Sequence, residues 1–131
     1  MQVLDVRTLS GQARIMFIAY LIAAIVTIVI NGGMAVADFA RADFVLANSD
    51  AVSFPRSWIP LAGALKMAGA VGVLVGLLGA RPLGIAAALG LMLYFAAALI
   101  VHVRTRVIGN IAFPGAYFAF AAATLVLAVA Q

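Results

Sequence analysis

Four ionisable side chains stand where they could do chemistry on a lipophilic molecule: Lys66, His102, Asp38 and Asp43. Lys66 interrupts an apolar run that begins at Pro60. A charge at the centre of a bilayer costs ~2.5–3.5 kcal/mol on insertion scales, so an ionisable group inside an apolar segment is a functional candidate. Lys66 lies only about 9 Å along that run at ~1.5 Å per helical residue, so its stem is also long enough to carry the charge to the headgroups. His102 closes a later apolar run and titrates near neutrality when unperturbed. Lys66, His102 and a carboxylate from Asp38 or Asp43 would form a set able to stabilise charge, donate a proton and accept one. An ammonium held inside apolar surroundings needs a counter-ion, or it sheds its proton.

Neutral polar residues extend the pattern. Tyr20, Ala24, Thr27, Asn31, Ala35 and Asp38 recur at steps of four and three, which is one face of a helix. Asn110, Phe113, Tyr117, Ala121 and Thr124 form a second such stripe. Lipid offers these groups no partner, so the two stripes are expected to face each other inside a bundle. For the threonines, hydrogen bonds between helices suffice as an explanation, at ~0.6 kcal/mol per contact. Asn31, Asn110 and Tyr117, with Trp58, Phe54 and Tyr94 as aromatic walls, are the expected lining of a lipophilic pocket. A quinone, an isoprenoid or a sterol-like molecule would suit it.

Several chemistries are excluded. Cysteine is absent, which removes disulfides, thiolate nucleophiles and cysteine-held clusters. There is one histidine, so no metal or haem is expected from this chain alone. No phosphate-binding loop or nucleophile elbow occurs. The net charge is +4 and the pI near 10.4, but the basic residues are scattered at the ends of apolar runs. That distribution fits lipid headgroups and not a nucleic acid.

The elements that must position these residues follow from composition. Of 131 residues, 67% are hydrophobic and 9% charged, with a mean hydropathy of +1.24. A soluble domain is about 45–50% apolar and about 25% charged. A chain this short cannot bury so much apolar surface in itself, so that surface faces lipid. The predicted fold is all-α: a single-domain bundle of four transmembrane helices. Runs long enough to cross ~30 Å of hydrocarbon lie at about 13–37, 60–78, 83–103 and 113–130. The link Gly79-Ala80-Arg81-Pro82 makes spans two and three an antiparallel hairpin. An extramembrane loop fills about 38–57 and carries three aspartates and two arginines. Gly69, Gly72, Gly76 and Gly79 form a smooth stripe for close helix approach. The first span also resembles a secretory signal, with Arg7, Arg14 and Ala35-Val36-Ala37, but is read as a retained helix. Three arginines on the side of the termini against four on the other do not decide the orientation, and only the three aspartates of the long loop lean it towards termini inside.

Val52 to Arg106 resembles the DoxX-like family of small bacterial membrane proteins. The matching residues are Phe54-Pro55-Arg56-Ser57-Trp58-Ile59-Pro60-Leu61, Gly63-Ala64-Leu65-Lys66-Met67-Ala68-Gly69-Ala70 with Gly72, Arg81-Pro82-Leu83-Gly84-Ile85-Ala86, and Ala98-Leu99-Ile100-Val101-His102-Val103-Arg104. The resemblance implies a multi-pass four-helix bundle of the bacterial inner (cytoplasmic) membrane, with Lys66 and His102 at pattern positions. The family takes its name from a subunit of a thiosulfate:quinone oxidoreductase, which implies contact with a quinone.

Three readings stand at this point. The first is a membrane module that holds a lipophilic small molecule, quinone- or isoprenoid-like, alone or beside a redox partner. The second is a membrane-embedded acid–base enzyme such as an isomerase, cyclase or epoxide-opening hydrolase. The third is a structural or assembly subunit, associated as a homo-oligomer or with a membrane complex.

Overall fold

The structure, a computed structural model, describes residues 6–131, with side chains from Ser10 onward, so the Arg7 side chain lies outside the described residues. The chain is all-α. Helix α1 runs Val6–Phe39, α2 Asp43–Ala51, α3 Ile59–Leu77, α4 Arg81–Arg104 and α5 Ala112–Ala130. All but α2 are long and apolar enough to cross a membrane. They form an antiparallel square in which α1 and α4 each pack on α3 and α5.

Burial follows the polar stripe of α1. Ala24, Thr27, Asn31 and Ala35 are completely buried, with Tyr20 and Asp38 nearly so. Ile15, Ile22, Ile25, Val29 and Val36 are exposed on the outer surface, where lipid would lie. In the middle of the bundle the Thr27 hydroxyl meets that of Thr124 at 2.9 Å, and Thr124 donates to the Phe120 carbonyl at 2.8 Å. The Asn31 amide donates to the Thr27 carbonyl at 3.0 Å. The stripe of α5 differs from the expected one. Phe113 is 66% exposed, Pro114 takes the inward place beside Ala121 and Thr124, Tyr117 is half-buried, and Asn110 lies before the helix begins.

The hairpin between α3 and α4 is tighter than the sequence indicates. Arg81 and Pro82 belong to the first turn of α4, where proline's missing N–H costs nothing, so the link is only Leu78 to Ala80. Gly79 makes this turn with φ +126, a backbone open to glycine alone. A Cβ on Gly76 would stand 2.5 Å from the Gly84 Cα, and one on Gly72 2.5 Å from the Ala87 Cβ. A Cβ on Gly69 would overlap Leu91. The glycine stripe thus seats α3 on its own hairpin partner. Arg81, expected at the headgroups, turns onto the C-terminus of α5. Its guanidinium donates to the carbonyls of Ala128 (3.1 Å) and Val129 (2.6 Å) in the last turn of that helix, where a cation is favoured.

The loop between spans one and two is folded. α2 lies across the end of the bundle with Val45, Ser49 and Val52 turned under it and buried, one helical face. Arg56 clamps its far end through Asp50, donating to both carboxylate oxygens at 3.0 and 2.6 Å. That hydrogen bond holds the Asp50 carboxyl below its ordinary range.

Candidate functional site

The site lies where α1, α3, α4 and the start of α5 meet beneath α2. α1 delivers Asp38, α3 Lys66, α4 Tyr94 and His102, α2 Asn48 and Ser49, and the segment before α5 Asn110. Asp38 is the last buried position of the α1 stripe, and Lys66 stands two turns into α3. Their side chains meet at 2.7 Å, both buried, with 4% of the aspartate side chain and 10% of the lysine side chain exposed. Lys66 therefore does not run out to the headgroups. Gly63 makes the meeting possible. It sits one turn before Lys66, and a Cβ there would stand 3.0 Å from the Asp38 Cβ and 3.2 Å from the Phe39 ring. With hydrogen at that position, α1 approaches α3 closely enough for a direct ion pair. The Lys66 ammonium also stands 5.3 Å from the centroid of the Tyr94 ring, within cation–π range.

His102 enters from the last turn of α4. Its Nδ1 donates to the Ala98 carbonyl one turn back, at 2.9 Å. This tether orients the ring and leaves Nε2 facing away from it. Nε2 is buried without a hydrogen-bond partner, as is Asn110 Oδ1. The Asn110 amide donates to Asn48 Oδ1 at 2.8 Å and thereby ties α2 to the segment leading into α5.

Together these groups border a cavity of about 500 Å³. Asp38, Lys66, Tyr94, His102, Asn48, Ser49 and Asn110 supply its polar surface. The remainder is apolar, including Phe44, Phe54, Ile59, Val101 and Phe113. That volume falls in the range of small-molecule sites, ~300–1,000 Å³.

Of the residues expected at this site, Asp38, Lys66, His102, Phe54, Tyr94 and Asn110 border the cavity. Asp43 does not. It is exposed in the first turn of α2, where a carboxylate complements the helix N-terminus. Trp58 is 57% exposed and lies against Phe54, with ring centroids 6.0 Å apart, outside the cavity wall. Asn31 is buried deeper in the bundle and bonded to its own helix. Tyr117 contacts the Ile30 carbonyl at 3.4 Å and borders a separate groove between α1 and α5. Sequence reasoning missed Asn48, Ser49 and the spacing role of Gly63. The apolar–polar alternation of Val45, Asn48, Ser49 and Val52 is a helical signal that could have found α2. Among the described residues, no group of three His, Cys, Asp or Glu side chains is placed to hold a metal.

The fold and the cavity define a small multi-pass membrane protein with a polar-floored pocket near one end of its bundle. A family model matches residues 22–124, and the chain belongs to the DoxX-like family. No curated protein and no solved structure matches it.

Proposed function

We propose that this protein holds a lipophilic small molecule, quinone- or isoprenoid-like, in the cavity beneath α2. The observation that carries this reading is the pairing of a mostly apolar cavity wall with three polar groups of different character at its floor. Lys66 has donors to spare beyond its bond to Asp38. With a proton on Nδ1 for the Ala98 carbonyl, the neutral form of the His102 ring would offer a lone pair at Nε2. A carbonyl oxygen would take a hydrogen bond from Lys66, and a hydroxyl would give one to His102. A quinone and its reduced form supply both chemistries, and so does an isoprenoid alcohol or ketone. Residence in the bacterial inner membrane rests on the family resemblance alone.

The test is extraction of the purified protein with organic solvent, followed by mass spectrometry. A lipophilic compound should be recovered from the wild type and lost from Ala98→Phe, which fills the cavity while keeping its polar groups. Equal recovery from both would sink the reading.

One observation favours a second reading as an acid–base enzyme, namely the tethered ring and unpartnered Nε2 of His102. In that case a converted lipid accumulates with the wild type, and His102→Gln retains the unconverted substrate.

A further inference from the structure

The cavity shares part of its lining with a second groove. Met34 of α1, Phe44 of α2 and Phe113 of α5 border the cavity on one side and this shallower groove on the other. This groove has a volume of about 360 Å³ and runs over the outer face between α1 and α5. Val29 to Ala37 form its α1 wall, about 12 Å at ~1.5 Å per residue, from the α2 end towards the middle of the span. No charged or amide side chain borders it, and its one side-chain hydroxyl, that of Tyr117, contacts the Ile30 carbonyl. Hydrocarbon is the chemistry that fits.

Gly33 supplies an independent observation. A Cβ at Gly33 would meet nothing within 4 Å, whereas Gly63, Gly69, Gly72 and Gly76 are each required by a close helix contact. No helix contact needs a glycine at this position, and its missing side chain leaves the groove open.

We infer that the molecule in the cavity carries a single linear alkyl or isoprenoid tail, which leaves between Met34, Phe44 and Phe113 and lies in the α1–α5 groove. This inference rests on the ligand-holding reading of the cavity. The same path admits the molecule sideways from the bilayer. Lipid is as apolar as the groove, so the tail gains little by moving from one to the other. The groove acts by shape, because it lets the head seat without folding the tail back on itself.

The probes are decylubiquinone and the same head group without its tail, bound to purified protein in nanodiscs. Gly33→Leu should weaken decylubiquinone by roughly tenfold, the scale of overpacking a close-fitting space, and leave the tail-less probe within about twofold. Gly32→Leu is the control, since Gly32 is equally open but does not border the groove, and it should change neither. On the wild type itself, a diazirine at the end of the decyl tail should label α1 and α5. Equal effects of Gly33→Leu on both probes, or labelling of α3 or α4, overturn the tail path and leave the cavity reading intact. If the wild type binds neither probe, the quinone form of the cavity reading fails and the tail path falls with it.

Discussion

The Asp38 carboxylate and the Lys66 ammonium meet at 2.7 Å inside the bundle because Gly63 removes the one side chain that would hold their helices apart. A pair this buried is costly to break from one side, since the remaining charge is stranded. Asp38→Ala should therefore destabilise the protein by about 3–5 kcal/mol. The double variant Asp38→Leu with Lys66→Met should recover most of that loss, because an apolar pair of similar volume is often neutral or better. Thermal unfolding in detergent measures both, and a double variant as weak as the single one would contradict the account. The lipophilic compound should be lost from both variants.

The α3–α4 hairpin predicts a sharp difference between two glycines. Gly76→Ala drives a methyl into the Gly84 backbone, which cannot step aside as a side chain can. It should cost about 1–3 kcal/mol. Gly90→Ala meets nothing within 4 Å and should be neutral or stabilising by up to about 1 kcal/mol. Unfolding of the two variants in a denaturing-detergent titration gives the comparison.

The Thr27–Thr124 contact should be worth little despite its complete burial. Thr27→Val keeps the shape and leaves Thr124 its bond to the Phe120 carbonyl. The expected loss is about 0.6 kcal/mol, and at most about 1.7 kcal/mol. A larger loss in the same titration would mean that the threonines do more than hold helices together.

Ser53 ends α2 at φ 58, with the Phe54 amide closing back on the Ser49 carbonyl at 2.8 Å. A left-handed backbone costs a residue with a Cβ about 1–2 kcal/mol, part of which glycine forfeits through its greater freedom when unfolded. Ser53→Gly should raise stability by about 0.5–1 kcal/mol, read as a higher midpoint of thermal unfolding.

The roof of the cavity should loosen in acid. Arg56 hydrogen-bonds Asp50 and holds its carboxyl below the ordinary value. A group depressed in this way stabilises fully above the ordinary carboxylate value of about 3.9, and the contribution is lost as pH falls through the lowered one. Amide exchange in α2, corrected for its intrinsic pH dependence, should rise below pH ~3.9 and become independent of pH in that window in Asp50→Asn. Both partners are exposed, so the effect is local to α2 and is not expected in global unfolding.

The four long helices and the inward face of α1 were legible from the chain itself. Lipid imposes a length on every span and expels every unpartnered polar group, so run length and the spacing from Tyr20 to Asp38 are nearly sufficient. Asp38 was one of two carboxylates that could serve Lys66, and charge counting alone could not separate it from Asp43. The choice was made by the close approach of α1 to α3 at Gly63, a contact between positions 25 residues apart whose spacing has no periodic signature. The same holds for α2. Its nine residues are too short to register as a span, and they fold against the bundle end because Val45, Ser49 and Val52 find a surface there that exists only once the four long helices have assembled. Composition and spacing thus determined the class of protein and which residues turn inward. Only the packing of separate helices decided which of those residues share a cavity, because side-chain proximity across helices depends on axial offset and rotation, and neither is written in a single strand of sequence.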